Sequence, residues 1–252
     1  MDSSAGRHRL VGPLELWEAK RKFQFDFLLN AGILPSHTLL DLGCGILRGG
    51  IPLIGYLEEG NYTGVDVRPE VMEEAHLELE ISGLAIKNPS LICTDDVSTL
   101  ILKRKFDFIW AFSVLIHLED HILEGVMNFI NRHLHKEGSF YANVVFGERQ
   151  DGNWQQFPLV ERPESFYTKM IARHGLTMHD LGPLKKFGHP SKITDKDLLE
   201  RQRMLLFTFN ETKPATNEQS RPVLSSQPDF LIIDSQKCGT TSFENGKCPN
   251  PK

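Results

Sequence analysis

The sequence contains no apolar run that approaches the ~20 residues a helix needs to cross a bilayer. Its first segment, residues 1–12, is polar and so does not resemble the apolar core of a secretory signal peptide. Cysteine is also scarce: Cys44, Cys93, Cys238 and Cys248 form neither a CxxC metal pair nor a dense disulfide pattern. We therefore expect a cytoplasmic protein with no membrane association and no metal site.

Positive charge is not in excess either, since the formal net charge is −5 at pH 7. This balance argues against a protein that grips phosphate backbones, so we expect no nucleic-acid partner. The composition, with 40% hydrophobic and 24% charged residues, is ordinary for a soluble globular protein. A chain of 252 residues is long enough for one large domain with an appendage.

The stretch Leu39-Leu40-Asp41-Leu42-Gly43-Cys44-Gly45 organises the first half of the chain. An apolar run that ends at an acid and opens into glycines is typical of a strand buried on both faces, followed by a ligand-binding loop. Gly43 and Gly45 let the backbone approach a ligand closely because they lack a Cβ. A helix that begins near Gly50, with Pro52 in its first turn, directs its amide groups at the same place. These residues predict a nucleotide-type pocket.

A second strand is predicted over Tyr62 to Val67, and its Asp66 falls about 21 residues beyond Gly45. At that spacing in a βαβ unit, an acid accepts hydrogen bonds from both ribose hydroxyls. Pro69 stands at a favourable first helical position, so a cap for the next helix is the alternative role of Asp66. We interpret Asp66 as a ribose-binding residue.

The remaining elements alternate between strands and helices. Helices are predicted over 13–30, 69–82, 120–135 and 163–174, and strands over 90–94, 106–112, 139–146, 176–181 and 204–209, with a turn at 136–138. The last two strands lack a clear helix between them, which indicates an antiparallel pair at the sheet edge. The fourth strand ends beside the switch point of such a sheet, so Ser113 to His117 should border both cofactor and substrate.

The segments 41–45, 62–66 and 106–110, read as DLGCG, YTGVD and FDFIW, together resemble the ordered motif series of class I S-adenosylmethionine-dependent methyltransferases. The resemblance runs from about Leu14 to Phe209. It implies an α/β fold, a Rossmann-like doubly wound seven-stranded sheet in the order 3-2-1-4-5-7-6 with an antiparallel last strand. It also implies S-adenosyl-L-methionine as the cofactor and in-line methyl transfer as the reaction.

The loop, the strand ends and the resemblance together give a set of predicted cofactor-binding residues. They are Asp41, Gly43, Cys44, Gly45, Arg48, Asp66, Asp95, Asp96 and Ser113. Arg48 would pair with the methionyl carboxylate, and a plain surface arginine is the alternative. Either Asp95 or Asp96 would receive the adenine amino group, although both can also cap a turn.

His117 is the candidate catalytic base, because its unperturbed pKa lies near neutrality and a base is needed when the methyl acceptor carries a proton. Simple packing over the fourth strand is the alternative, and His121 and His189 are weaker candidates. The net charge favours a small-molecule acceptor over a protein. Two other functions fit parts of the pattern: an NAD-dependent oxidoreductase, whose third fingerprint glycine is replaced by Arg48, and a non-catalytic cofactor-binding domain.

The C-terminal part of the chain changes character. Residues 210–227 have linker composition, and residues 228–243 resemble the opening strand and phosphosulfate-binding loop of sulfotransferases, with Lys237 and 239–242 as the anion-binding residues. A sulfotransferase needs a full α/β domain, and the chain ends about ten residues later. We therefore expect a methyltransferase domain at 1–209, a linker at 210–227, and a flexible, truncated sulfotransferase-like segment at 228–252, as in a fusion fragment or a remnant.

Overall fold

A computed structural model describes residue 6 and residues 8–154 and 157–209 of the chain. The helices are α1 (Trp17–Asn30), α2 (Gly50–Tyr56), α3 (Pro69–Ile81), α4 (Asp120–His133), α5 (Glu164–Arg173) and α6 (Lys196–Arg201). The strands are β1 (Leu39–Leu42), β2 (Tyr62–Asp66), β3 (Ser90–Cys93), β4 (Phe106–Ala111), β5 (Leu134–Val145), β6 (Gly152–Trp154), β7 (Phe157–Leu159), β8 (Leu176–Pro183) and β9 (Gln202–Phe209). The predicted linker and sulfotransferase-like segment lie outside the described residues.

Seven strands form one sheet in the order β3-β2-β1-β4-β5-β9-β8. The first five are parallel, while β9 runs antiparallel to both β5 and β8. Because the short hairpin β6–β7 stands apart, this order equals the predicted 3-2-1-4-5-7-6 arrangement. The predicted α/β fold class, with its antiparallel last strand, is confirmed.

The sheet is buried on both faces, which explains the apolar runs of its central strands. Alternate residues of β1 serve opposite sides: Leu40 packs in the core beneath α4 and α5, whereas Leu39 packs in the core that includes α1 residues. Trp110 of β4 is fully buried and contacts Phe27 of α1 at a ring distance of 5.3 Å. No helix in the described part of the chain is both long and apolar enough to span a bilayer.

The predicted turn at 136–138 is wrong, because β5 begins at Leu134 and includes these residues. A glycine at this point in the sequence is typical of a turn, but in the structure Gly138 lets β5 approach β4 closely. A Cβ there would lie 2.9 Å from the carbonyl oxygen of Phe106 on the neighbouring strand. The hairpin β6–β7 was not predicted, since each of its strands has only three residues.

Among the described residues, the seven strands of the large sheet lie between Leu39 and Phe209, within the predicted methyltransferase domain. We expect a chain that ends at Asn210 to melt at the same temperature as the full chain, within about 2 °C. Circular dichroism melting of both proteins measures this. A marked loss of melting temperature on truncation would show that the segment after Asn210 contributes to the fold and that the predicted boundary is wrong.

Candidate active site

The loop after β1 is shaped by its two glycines. Gly43 and Gly45 have φ angles of +73° and +56°, in the left-handed region that disfavours a side chain. A Cβ at Gly43 would overlap Cγ2 of Val114, and one at Gly45 would lie 2.9 Å from Cγ1 of Val11. The loop therefore lies tightly between the segment after β4 and the N-terminal segment, as a close-approach loop should.

Cys44 turns its thiol inward, where Sγ donates to the carbonyl of Gly45 at 3.7 Å. The side chain is buried against Gly64 of β2, where a Cβ would lie 2.9 Å from the Cys44 sulfur. Burial raises the pKa of the thiol well above its ordinary value, so it stays protonated. Its backbone N–H donates to the carbonyl of Val65 at 3.1 Å. The predicted cofactor-binding role of Cys44 therefore cannot involve its side chain.

Asp66 ends β2, as predicted, and its carboxylate is only 5% exposed. Its Oδ2 accepts a hydrogen bond from the Gly45 N–H at 3.0 Å, and its Oδ1 accepts one from the Arg68 N–H at 3.1 Å. The alternative capping role does not apply, because the N-cap of α3 is Arg68 and has no side-chain cap bond. Asp66 instead ties the glycine loop to the end of the second strand.

Arg68 extends this connection, and the sequence did not point to it. Its Nε lies 3.4 Å from Asp66 Oδ1, and its Nη1 donates to the carbonyl of Leu10 at 3.2 Å. Its guanidinium also lies 5.4 Å from the ring centre of Phe157 in β7, within cation–π range. One side chain thus joins the Asp66 carboxylate, the N-terminal segment and the β6–β7 hairpin.

Asp41 is buried within β1, and its Oδ2 accepts a hydrogen bond from the Tyr62 hydroxyl at 2.6 Å. Burial raises the pKa of Asp41 to about 7, although the Tyr62 hydrogen bond acts in the opposite direction. Near neutral pH this carboxyl is therefore divided between its neutral and charged forms.

Arg48 is not a surface arginine. Its Nη1 donates to the carbonyl of Val11 at 2.9 Å, and its guanidinium lies 5.9 Å from the ring centre of Trp17. Burial lowers the pKa of Arg48 to about 10, so it still carries a positive charge at neutral pH. Its Nε is buried and has no hydrogen-bond partner among the residues that the structure describes. Such an atom is suited to a ligand with an acceptor group.

The two acids after β3 differ in their surroundings. Asp96 is the N-cap of a short 3-10 turn and accepts a hydrogen bond from the Ser98 N–H at 2.8 Å. A hydrogen bond from the Ser98 side chain, together with this backbone bond, lowers the pKa of Asp96. Asp96 is therefore engaged in capping, and Asp95, which is exposed beside it, is the better candidate for contact with adenine.

Ser113 follows β4 in a strained conformation, with φ of +59°. Its N–H donates to Oδ1 of the buried Asn143 at 2.6 Å, which secures the loop against β5. The short turn Leu115–His117 comes next, and the carbonyl of Ile116 accepts a hydrogen bond from the Val160 N–H at 2.9 Å. The region predicted to border cofactor and substrate is thus held by β5 on one side and by the residue after β7 on the other.

His117 packs under the hairpin. Its Nδ1 lies 2.7 Å from the carbonyl oxygen of Pro158, and its ring contacts Phe157 at 5.7 Å. Because a carbonyl only accepts, Nδ1 carries the proton in this contact and Nε2 holds the lone pair. Burial lowers the pKa of His117, with a smaller contribution from the nearby Arg68. The imidazole is therefore neutral at pH 7, as a base requires.

Residues 40–140 match the model of a family described as a methyltransferase domain. Together with the fold, this match supports a methyltransferase enzyme and confirms that prediction. The segment from 228 to 243 lies outside the matched residues, and its sulfotransferase resemblance stays a prediction.

Solved structures share this fold at low sequence identity. An S-adenosylmethionine-dependent methyltransferase from Clostridium acetobutylicum ATCC 824 has a TM-score of 0.57 and 15% identity, over 77% of this chain and 92% of its own. Magnesium protoporphyrin IX methyltransferase from Synechocystis PCC 6803, solved with S-adenosylmethionine, has a TM-score of 0.57 and 16% identity, over 82% of this chain and 92% of its own. The glycopeptide N-methyltransferase MtfA, solved with the same ligand, has a TM-score of 0.58 and 14% identity, over 75% of this chain and 94% of its own. At these identities the likeness shows the fold alone.

Because the pKa of Asp41 is raised, we predict that this carboxyl makes the stability of the protein depend on pH. A carboxyl whose pKa is higher in the folded than in the unfolded protein stabilises the fold below about pH 4, and this contribution is lost as pH rises to about 7. Asp41→Asn keeps the acceptor for Tyr62 but cannot ionise. We expect its free energy of unfolding, relative to wild type, to increase between pH 4 and pH 8 by a few kcal/mol, roughly 1.4 per pH unit. Urea unfolding across this range measures the difference.

Asp107→Asn is the matched control. Although burial acts to raise it, the pKa of Asp107 is lowered by hydrogen bonds from the Thr38 N–H and hydroxyl, both at 2.8 Å. The contribution of Asp107 to stability is present at neutral pH and is lost as pH falls. This trend is opposite to the one expected for Asp41. A relative stability of Asp41→Asn that does not change with pH would show that Asp41 is ionised in the folded protein throughout.

Proposed function

We propose that the chain is an S-adenosyl-L-methionine-dependent methyltransferase that methylates a small molecule by in-line transfer. The observation that carries this proposal is the buried Nε of Arg48, which has no hydrogen-bond partner in the described part of the chain and lies beside a glycine loop that donates to the Asp66 carboxylate. An aminoacyl carboxylate fits the Arg48 guanidinium, and a ribose diol fits the Asp66 carboxylate. The residues present therefore fit this cofactor, and the methyltransferase match at 40–140 supports the same choice.

The proposed cofactor contacts follow the order of the strands. Arg48 would hold the methionyl carboxylate, since a guanidinium binds carboxylates through charge-assisted hydrogen bonds. Gly43 and Gly45 allow the left-handed backbone that places the loop between Val11 and Val114, and Asp66 would accept the ribose hydroxyls. Asp95 would receive the adenine amino group.

When bound, the cofactor supplies a methyl group on a positively charged sulfur, activated for displacement by a nucleophile in line with the breaking bond. The chain contributes position and protection from water. Val11 covers the glycine loop, and Arg68 holds both the Leu10 carbonyl and the Phe157 ring over the end of β2. His117, with its proton on Nδ1, would take the proton from a hydroxyl acceptor through Nε2.

The rival functions have less support. An NAD-dependent oxidoreductase would need its third fingerprint glycine where Arg48 projects its side chain toward Val11 and Trp17. A domain that only binds the cofactor would not need a neutral imidazole with a fixed tautomer. Two of the similar enzymes are named for a glycopeptide and for magnesium protoporphyrin IX, which supports an acceptor other than a nucleic acid. A cytoplasmic location stays a prediction.

We expect Asp66→Ala to weaken binding of S-adenosylhomocysteine by roughly 30- to 150-fold, since about 2–3 kcal/mol of charge-assisted hydrogen bonding is lost. Isothermal titration calorimetry measures the affinity. The matched control is Asp107→Ala, which removes a carboxylate that also accepts two hydrogen bonds, at the N-terminal end of β4, where Asp107 contacts Thr38. Unchanged affinity in Asp66→Ala would remove Asp66 from the site, and tight NADH binding by wild type would overturn the proposed function.

We expect His117→Gln to lower turnover by about 10²- to 10⁴-fold when the acceptor is a hydroxyl compound, with cofactor affinity nearly unchanged. Glutamine keeps a donor for the Pro158 carbonyl but is not a base. Release of S-adenosylhomocysteine measures turnover, and His121→Gln, an exposed imidazole, is the control. A normal rate in His117→Gln would reduce His117 to a packing residue.

A further inference from the structure

A second imidazole lies at the carboxyl end of β4, in a cluster of aromatic rings. His189 contacts Phe23 of α1 at a ring distance of 5.0 Å and Phe112, which directly follows β4, at 5.4 Å. The two phenylalanine rings lie 5.3 Å apart. Because Phe112 precedes Ser113, this cluster borders the same loop as the candidate active site.

The cluster contains one polar atom without a partner. Nε2 of His189 is buried and makes no hydrogen bond to any residue that the structure describes. Burial, with Lys20 and Arg48 nearby, lowers the pKa of His189 to about 4, so the ring is neutral at pH 7. A buried imidazole nitrogen without a partner is costly, and a ligand group that bonds to it removes that cost.

Lys20 brings a positive charge to the same place. It lies on the inward face of α1, three residues after Trp17 and three before Phe23, both of which are buried. Burial and the charge of Arg48 lower the pKa of Lys20 to about 8, so it remains mainly protonated at pH 7. Within the described residues, Lys20 forms no ion pair. The neighbouring Lys22 differs, since it is exposed and pairs with Asp26 at 2.6 Å.

The balance of charge around these groups is positive. Lys20 and Arg48 are two cations, and the acid that acts on Arg48, Asp41, is only partly ionised near neutral pH. The cofactor proposed above adds further positive charge, because its carboxylate and ammonium cancel while its sulfonium does not. An anionic group on the second ligand would therefore be attracted to this region.

We propose that Lys20 and His189 bind the methyl acceptor and that this acceptor is a small aromatic carboxylic acid. The Lys20 ammonium and the His189 Nε2–H donate to its carboxylate, and the rings of Phe23 and Phe112 pack against its aromatic part. The proposal rests on the proposed function, since it names the second substrate of that site. It also gives His189, rather than His117 alone, a role in substrate binding.

The test uses the full chain and two probes of similar size, 4-hydroxybenzoate and the uncharged 4-hydroxybenzyl alcohol. Each is titrated by calorimetry into wild type, with and without saturating S-adenosylhomocysteine. We expect the acid to bind on the order of tenfold or more tightly than the alcohol, as expected for hydrogen bonds to a charged group. Lys20→Met should remove most of this preference, and His189→Phe, which keeps the aromatic packing, should reduce it. Lys22→Met should leave it unchanged.

Several outcomes would overturn the proposal: equal binding of acid and alcohol, no binding of the acid at millimolar concentration, or a preference that survives in Lys20→Met. S-adenosylhomocysteine affinity is measured first for every variant, so that a failure of the cofactor site is seen separately. Wild type that binds the acid but not S-adenosylhomocysteine would contradict the proposed function. Wild type that binds S-adenosylhomocysteine but not the acid would contradict only the acceptor site.

Discussion

The carboxylate of Asp66 is the contact on which the arrangement of the site depends. It accepts the Gly45 N–H and the Arg68 N–H, so the loop after β1 and the segment after β2 are fixed to the same group. The Arg68 side chain then reaches the carbonyl of Leu10 and the ring of Phe157. Hydrogen bonds to a buried carboxylate are stronger than those between neutral groups. One acid therefore positions the glycine loop, the N-terminal segment and the hairpin together.

This role limits how Asp66 can bind a ligand. Each carboxylate oxygen has about two lone pairs, and Oδ2 uses one for Gly45, whereas Oδ1 receives both the N–H and the Nε of Arg68. On the proposed ribose role, one hydroxyl would use the remaining lone pair of Oδ2. A second hydroxyl would compete with Arg68 Nε, whose distance of 3.4 Å is the longest of the three contacts. On this proposal, cofactor binding at Asp66 is therefore linked to the contacts that Arg68 makes with Leu10 and Phe157.

The parts that the sequence predicted well are those set by local pattern. Buried apolar runs marked β1, β2 and β4, and the spacing of Asp66 after Gly45 placed the acid at the end of β2. The start of β5 was missed because Gly138 serves close strand packing, which a single sequence does not distinguish from a turn. The hairpin was missed because three-residue strands carry too little periodicity. Arg68 was missed because its contacts lie 58 residues away at Leu10 and across a hairpin that was not predicted.

The charges around the candidate site could not be predicted from the amino-acid composition. The chain carries a formal net charge of −5, yet two partly buried cations, Lys20 and Arg48, lie near the loop after β1. Elsewhere, arginines are matched with acids: Arg162 with Asp151 and Arg203 with Asp180, each at 2.5 Å. Lys20 and Arg48 have no such partner among the described residues, although burial makes their charges more costly. On the proposed function, anionic groups of the ligands would pair with these two cations.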